Sequence, residues 1–352
     1  MRRRTLVALG VTLVVAASLA AGLTACGNRS SDNATAQEPE KIINPLTGEE
    51  EDSQLPARPT IVSIDNVGDA IPQSNLSYAD MIYEFPVEGL QTRLECIFYS
   101  KHPDFVGPIR STRPYFVDLT REYKGVFVAY GWSPDAKRYL KEKYVPWING
   151  MVHGDLFYRV TDKASPHNAY IKWENIEQHA SENGDWYSEE NRKKIRAFKF
   201  IGIDDQEETT AATDEDGEEI ELVEPEDCTE VKFDYTSSHC EFTYDEDTGL
   251  YSRSILGTPY IDKESGETIT CSNILVQKVT SEVLDEKGRL SIDMCEGGEA
   301  LLFTNGKVTK GTWSRKNLNK RTIFKDENGN EFLLSKGTSW VEVADQNCTI
   351  TY

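Results

Sequence analysis

Residues 107–144, GPIRSTRPYFVDLTREYKGVFVAYGWSPDAKRYLKEKY, carry the signals of a helix, a strand and a second helix in quick succession. The first helix is predicted over Arg113–Tyr123, because a serine and a threonine precede it as caps and a proline lies in its first turn. The β-branched and aromatic run Val126–Tyr130 predicts a strand. A serine, a proline and an aspartate then introduce a helix over Ala136–Tyr144. Helices interleaved with strands favour an α/β or α+β arrangement in this part of the chain.

The same alternation extends on both sides of this stretch. Short β-branched or aromatic runs predict three earlier strands, and two later segments are further helix candidates. The strands are Thr60–Ile64, Met81–Phe85 and Leu94–Tyr99, and the helices are Glu174–Ser181 and Ser188–Phe198. Together these elements predict a mixed α/β N-terminal domain over residues 58–203.

The composition changes after residue 203. Residues 204–227 contain 13 acidic residues and no basic one, which is typical of a solvated linker between domains or of a surface insertion. Over residues 228–352, alternating apolar runs are separated by turn signals such as Asn305-Gly306 and Asn328-Gly329. This pattern predicts a mostly antiparallel β C-terminal domain built from hairpins, and the fold class predicted for the chain is α+β.

The N-terminus has the layout of an export signal. Three arginines at positions 2–4 precede an uncharged run from Thr5 to Ala25, which is also long enough for a transmembrane helix. Leu23-Thr24-Ala25-Cys26 resembles a bacterial lipobox, which implies cleavage before Cys26 and a diacylglycerol on its sulfur. We therefore expect residues 1–25 to be a lipoprotein signal peptide, and the lipid on Cys26 to anchor the chain on the extracytoplasmic face of a cell membrane.

Residues 26–57 are polar and acidic, and we expect them to form a disordered tether between membrane and body. Asn44-Pro45-Leu46-Thr47-Gly48 is a turn-rich island inside the tether that could dock on the body.

Six further cysteines form an even set in an exported protein, which permits up to three disulfides. They are Cys96, Cys228, Cys240, Cys271, Cys295 and Cys348. Cys228 with Cys240 is the best candidate pair, and buried free thiols are the equal alternative. No CxxC occurs, so a zinc ribbon or a thioredoxin-like redox pair is not indicated.

Charge and motif content exclude several classes of function. The formal net charge of −21 repels nucleic acid, so no nucleic-acid partner is expected. The histidines lack metal-ligand spacing, and GxSxG, SxxK, P-loop and GxGxxG motifs are missing, so no metal or cofactor is expected. Against this background, residues 307–325 hold seven bases and no acid. That run is either a solvated face or a contact for an acidic partner, a wall polymer or the acids of the N-terminal domain.

Arg110 and Arg113 are the principal candidates for ligand binding. They flank Ser111 and Thr112 just before the predicted helix, whose start leaves N–H groups unpaired and carries a partial positive charge. Guanidiniums, hydroxyls and free N–H groups together suit a carboxylate or a phosphate, and Gly107 would let a ligand approach the backbone.

A competing interpretation pairs these arginines with internal acids such as Asp65, Glu84 or Glu88. His167 is a further candidate, because it lies in the turn-rich run Ala164–Tyr170. A neutral imidazole there could act as a general base, or it could only cap a turn.

Several blocks of this sequence resemble the YerB-like lipoprotein family, over roughly residues 44–352. The blocks are Asn44–Gly48, Ile64–Asn66, Pro72–Ser74, Ala79-Asp80, Tyr83-Glu84, Gly107–Pro114, Pro166–Asn168, Gly306-Lys307 and Gly311–Trp313. The resemblance implies a signal-anchored envelope protein with two successive domains of unknown function. It implies no reaction, cofactor or catalytic residue.

Two classes of function stay open. The first is a non-enzymatic envelope lipoprotein that binds a cell-wall ligand or a protein partner, which the missing nucleophile and metal signatures favour. The second is a hydrolase or transferase that holds an anionic envelope substrate with its two arginines and uses His167 as a base. Both hypotheses place the ligand among Asp65, Asn66, Glu84, Arg110, Ser111, Thr112, Arg113, His167 and Asn168.

Overall fold

The computed structural model describes residues 41–52, 54–142, 145–184, 186–191, 193, 195–203 and 223–352. The predicted signal peptide, Cys26 and the first part of the tether lie outside the described residues, as does most of the acidic stretch. Residues 41–352 form one compact unit. Within the described ranges, every helix is too short or too polar to cross a membrane.

Strands dominate the structure. The α-helices of the described residues are α1 (Pro114–Tyr123), α2 (Pro134–Glu142) and α3 (Trp173–Glu182). The strands are β1 (Ile42–Ile43), β2 (Glu50–Glu51), β3 (Thr60–Asp65), β4 (Met81–Pro86), β5 (Thr92–Phe98), β6 (Phe105–Val106), β7 (Val126–Ala129), β8 (Trp147–Asn149), β9 (Phe157–Arg159), β10 (Ala169–Lys172), β11 (Lys199–Phe200), β12 (Glu226–Asp227), β13 (Glu230–Asp234), β14 (His239–Asp245), β15 (Leu250–Ile255), β16 (Thr258–Pro259), β17 (Thr270–Cys271), β18 (Asn273–Lys278), β19 (Ser281–Val283), β20 (Leu290–Ile292), β21 (Gly298–Thr304), β22 (Lys307–Ser314), β23 (Ile323–Asp326), β24 (Leu333–Leu334), β25 (Ser339–Ala344) and β26 (Thr349–Thr351).

An 11-stranded mixed sheet runs through the whole body. Its strand order is β12-β22-β21-β18-β25-β4-β5-β3-β7-β8, with β23 paired to β22. The order joins the two halves of the sequence, because β25 lies between β18 and β4 and is parallel to both. A six-stranded antiparallel sheet, β16-β15-β14-β13-β26 with β17 on β15, forms a second layer.

Alternation along the strands divides the core between the two faces of the main sheet. Ile61 on β3 packs in one cluster with side chains of α1, and α2 lies on the same side. Its neighbour Val62 packs in the other cluster, with α3 and the six-stranded sheet. A candidate site near α1 is therefore separated by the sheet from any cluster under β13–β15.

The strands predicted for the N-terminal half are confirmed, each within two residues of its predicted ends. The three helices that lie before residue 183 are also confirmed, with α1 beginning at Pro114. The helix predicted over Ser188–Phe198 is wrong, because in the described residues this segment has only a 3-10 turn at Glu189–Asn191. Strand pairs within residues 226–351 of the described chain are antiparallel, as predicted, apart from β18 with β25.

The turn-rich island at residues 44–48 packs against the body. Leu46 is fully buried, the side-chain amide of Asn44 donates to Asp80 Oδ1 (2.7 Å), and the N–H of Gly337 donates to Thr47 O (2.8 Å). The tether expected to reach residue 57 therefore does not include this island.

The disulfide proposed between Cys228 and Cys240 does not form. Strand register places Phe233 opposite Cys240, and Cys228 precedes β13. The six cysteines of the described residues are all free, which agrees with the alternative of free thiols.

Candidate functional site

Residues 107–112, named here the arginine loop, are held between three strands. The N–H of Arg110 donates to Ser63 O on β3 (2.8 Å), and the N–H of Ile109 donates to the first carbonyl of β10 (2.7 Å). The N–H of Tyr130, just after β7, donates to Arg110 O (2.9 Å). The loop thus crosses the carboxyl ends of the parallel neighbours β3 and β7, the edge where ligands commonly bind in open sheets that contain parallel strands.

Asp65, the last residue of β3, is the centre of the arrangement. Its side chain is 2% exposed, and its Oδ2 lies 2.7 Å from His167 Nδ1 and 3.0 Å from Arg110 Nε. Asp65 therefore holds the imidazole through Nδ1 and forms an ion pair with Arg110, which is the internal pairing that the competing interpretation predicted.

Next to the arginine loop lies a pair of ionisable residues that the sequence analysis did not single out. Arg93 and Glu95 point from β5 to the α1 face, opposite Asp65 and Ser63 on β3. Arg93 donates from Nη1 to Ser111 O (2.6 Å), and burial lowers its pKa to about 10, so it keeps its charge at neutral pH. Burial raises the pKa of Glu95 to about 8, so this carboxyl is mostly protonated at pH 7.

Two buried polar atoms of this region lack a hydrogen-bond partner among the described residues. They are Arg93 Nε and Thr112 Oγ1. The Ser63 side chain, by contrast, is hydrogen-bonded to Glu95. Buried polar groups are nearly always paired, so a water or a ligand that bonds these two atoms would complete the site. The side chains of Ser63, Asp65, Arg93, Glu95, Arg110 and Thr112 are named here the Asp65 cluster.

Arg113 is paired away from Asp65. Its Nε and Nη2 each lie 2.6 Å from a carboxylate oxygen of Glu88, in a bidentate pair. Burial of Glu88 opposes ionisation, but the hydrogen bonds and charge of Arg113 outweigh it and hold its pKa below the ordinary value. Three guanidiniums, those of Arg93, Arg110 and Arg113, thus face two carboxylates, those of Asp65 and Glu88. One positive charge is left over at pH 7.

The local structure corrects three details of the sequence interpretation. α1 is preceded by Arg113, without a side-chain cap from Ser111 or Thr112. The Oγ of Ser111 instead donates to Tyr130 O (3.2 Å). A Cβ on Gly107 would lie 2.6 Å from the Tyr170 ring, so tyrosine packing and not ligand approach requires glycine there.

Three other predicted site residues lie away from Asp65. Asn168 accepts from Arg159 Nη1 through Oδ1 (2.6 Å) and donates to Val160 O, which fixes the turn after β9. Asn66 donates to Glu84 Oε1 (3.0 Å), and both belong to the opposite face of the sheet.

That opposite face holds a fully buried polar network. Glu84 and Glu342 are register partners on β4 and β25, and neither is exposed. Arg253 donates from Nη2 to Glu84 Oε2 (2.9 Å), while Tyr235 donates to Glu342 Oε2 (2.7 Å). Burial and the nearby Glu84 raise the pKa of Glu342 well above its ordinary value.

The same network contains three described residues that are spaced closely enough to bind a metal ion. Glu84, Cys240 and Glu342 each offer one ligand atom, and these three atoms lie within 4.8 Å of one another. Arg253 already supplies a positive charge beside them, and burial raises the pKa of the Cys240 thiol. A cation would have to compete with the guanidinium, so the donor set fits an internal ion pair better than a metal.

Comparisons with known proteins find similar sequences and a similar structure over most of the chain. Residues 46–186 match the family described as "Protein of unknown function (DUF3048) N-terminal domain", and residues 229–341 match its C-terminal domain. The chain is 31% identical over 327 residues to "Putative lipoprotein YerB" of Bacillus subtilis (strain 168), covering 91% of each chain. It is also similar to the crystal structure of YerB protein from Bacillus subtilis, with a TM-score of 0.75, 29% identity and coverage of 89% of this chain and 100% of that one.

Proposed function

The chain belongs to the YerB-like lipoprotein family with paired DUF3048 domains, and from this premise we propose that it is a lipid-anchored extracytoplasmic protein that binds an anionic ligand at the Asp65 cluster. The ligand class is a phosphate or carboxylate group of an envelope component. The observation that carries the proposal is the excess of three guanidiniums over two carboxylates, beside two buried polar atoms that lack a partner among the described residues.

The anchor rests on Cys26, which lies outside the described residues, and on the lipoprotein name of the relative. We expect wild-type chain to sediment with membranes and its mature form to begin at an acylated Cys26. Cys26→Ser should leave the precursor uncleaved or released, because serine offers no thiol for the lipid. Intact-mass measurement of both proteins checks this, and a wild-type mature chain without added lipid mass would contradict the anchor.

Charge and hydrogen-bonding capacity both support anion binding at the cluster. Arg110 is 26% exposed, so a ligand can reach its guanidinium from solvent. The first turn of α1 adds the positive end of the helix dipole, although Pro114 has no N–H and the N–H of Phe116 already donates to Arg113 O (3.1 Å). Charge-assisted hydrogen bonds of roughly 1.5–3 kcal/mol each make a millimolar to micromolar affinity reasonable.

We expect inorganic phosphate to bind the wild-type protein at pH 7 in isothermal titration calorimetry. Arg110→Gln should weaken binding about ten- to a hundredfold, because one charge-assisted bond is lost. Glu88→Gln should strengthen binding, because it frees Arg113 and adds one positive charge. Affinity should fall as pH rises through about 8, where Glu95 ionises and repels the ligand, and Glu95→Gln should remove that fall.

Arg138→Gln is the matched control, because Arg138 is 70% exposed on α2 and forms its ion pairs with acids of its own helix. Its affinity for phosphate should equal that of wild type. If the wild type binds neither phosphate nor acetate, or if Arg110→Gln and Glu88→Gln change affinity in the same direction, the arginines serve only the fold.

The second hypothesis is a hydrolase or transferase that uses the same cluster, and the Asp65–His167 contact of 2.7 Å favours it. A carboxylate on Nδ1 holds the imidazole with Nε2 available to take a proton from water or a hydroxyl. The enzyme is supported if wild type cleaves bis(4-nitrophenyl) phosphate and His167→Gln loses that activity while still binding phosphate. If the wild type binds phosphate but does not cleave bis(4-nitrophenyl) phosphate, the non-enzymatic function is supported instead.

A further inference from the structure

A row of five rings crosses the surface beyond β8. In order they are Trp132, Trp147, His153, His179 and Trp186, and each ring centroid lies 4.5–6.1 Å from the next. They come from the loop after β7, from β8, from the turn before β9, from α3 and from just beyond α3. All five side chains are partly exposed, so the row, named here the aromatic row, is not part of the closed core.

The last four rings line a cleft that opens to solvent. Lys141 and Asn183 also line it, and its volume of about 510 Å³ lies within the ~300–1,000 Å³ typical of small-molecule sites. Aromatic walls with a few polar groups are the usual composition of such sites.

Charge in the cleft argues against a cationic ligand. Among the described residues that line the cleft, Lys141 is the one with a permanent charge, and it is positive. Burial, and then the neighbouring His179, lower the pKa of His153, so that imidazole is neutral at pH 7. A quaternary ammonium would gain cation–π attraction from the rings but would meet this lysine, and the described lining residues include no carboxylate.

The imidazoles present donors and not metal ligands. Asn149 N–H donates to His153 Nδ1 (3.2 Å), and the side-chain amide of Asn183 lies 3.2 Å from His179 Nδ1. Because each Nδ1 accepts a hydrogen bond, each ring carries a proton on Nε2. An Nε2–H can donate to a hydroxyl oxygen, whereas a metal needs a lone pair at that atom.

We propose that this cleft is a saccharide-binding site, in which Trp147 and Trp186 stack on the C–H faces of a sugar ring while His153 and His179 donate to its hydroxyls. Flat aromatic surfaces bury the apolar face of a pyranose, and the Nε2–H donors satisfy oxygens that would otherwise lose their water. The positive lining also accommodates an acidic sugar. This site is separate from the Asp65 cluster and does not depend on anion binding there.

Tryptophan fluorescence of the purified full chain tests the proposal. The probes are the tetrasaccharides of N-acetylglucosamine, glucose and galacturonate, with choline as the cationic comparison. We expect at least one saccharide to change the fluorescence saturably, and choline to have no effect. Trp186→Ala should lower the affinity for that saccharide at least about tenfold. Trp186→Phe keeps a stacking ring and should lower the affinity much less.

His179→Ala should also lower the affinity for the saccharide, because it removes an imidazole that donates to a sugar hydroxyl. Arg110→Gln should leave saccharide affinity unchanged, which separates this site from the phosphate site. Failure of all three tetrasaccharides to bind, binding of choline instead, or an unchanged affinity in Trp186→Ala at an unchanged melting temperature would each overturn the proposal.

Discussion

Arg253→Met is expected to cost about 3–5 kcal/mol of the free energy of unfolding, which is a large share of the ~5–15 kcal/mol typical of a folded domain. Arg253 is fully buried, donates to Glu84, and stacks 4.0 Å from the Tyr260 ring and 4.8 Å from the Trp340 ring. Methionine fills much of the volume but leaves the Glu84 carboxylate buried without its cation. Urea unfolding followed by tryptophan fluorescence measures the loss.

The double variant Arg253→Met with Glu84→Gln separates charge from packing. Because it removes both ions of the pair, it should recover most of the stability that the single variant loses. Arg138→Met, on the exposed face of α2, should change stability by less than about 0.5 kcal/mol. A double variant as unstable as Arg253→Met alone would show that the guanidinium stabilises through stacking and shape, and not through Glu84.

Residues 41–203 and 223–352, produced as separate chains, are expected not to fold alone but to assemble when mixed. β4 would lose β25 as a neighbour, and the buried pair of Arg315 with Glu122 would lose one member in each fragment. Both apolar clusters also contain side chains from the two segments, so each fragment would expose part of its core. Near-ultraviolet circular dichroism and thermal melting should show one cooperative transition only in the mixture.

A chain with a protease site inserted between residues 212 and 213 provides the control for this experiment. After folding and cleavage, it should keep its melting temperature and elute as one species, because the contacts between the segments are already made. If residues 41–203 alone melt cooperatively at the temperature of the intact chain, the boundaries predicted from sequence mark two independent domains.

Local signals in the sequence are sufficient to predict the strands and the helix around the site. The β-branched and aromatic runs of β3 and β5, and the proline at the start of α1, predict those elements because each signal depends on neighbours in the chain. The arginine loop and His167 could also be selected, because turn residues and charges stand out against their surroundings.

Contacts between side chains that are distant in the sequence could not be predicted from such local signals. Asp65 and Asn66 are adjacent in sequence, but strand alternation sends them to opposite faces, so one joins His167 and the other joins Glu84. The sequence analysis did not single out Arg93 and Glu95, because their apolar neighbours in β5 predict a strand of the apolar core. The signal was present, since two charges spaced by two residues in a buried strand point to one face and require partners there.

The position of β25 also bears on how the main sheet can be closed. β25 (Ser339–Ala344) lies in the middle of this sheet, between β18 and β4, although β4 belongs to the first part of the sequence. Until β25 is in place, β4 and β18 each keep an unpaired edge. Such edges attract strands of other chains, so a form of the protein in which β25 has not yet docked is prone to aggregate. Protection of the centre of the sheet therefore depends on a strand that is distant in sequence from β4.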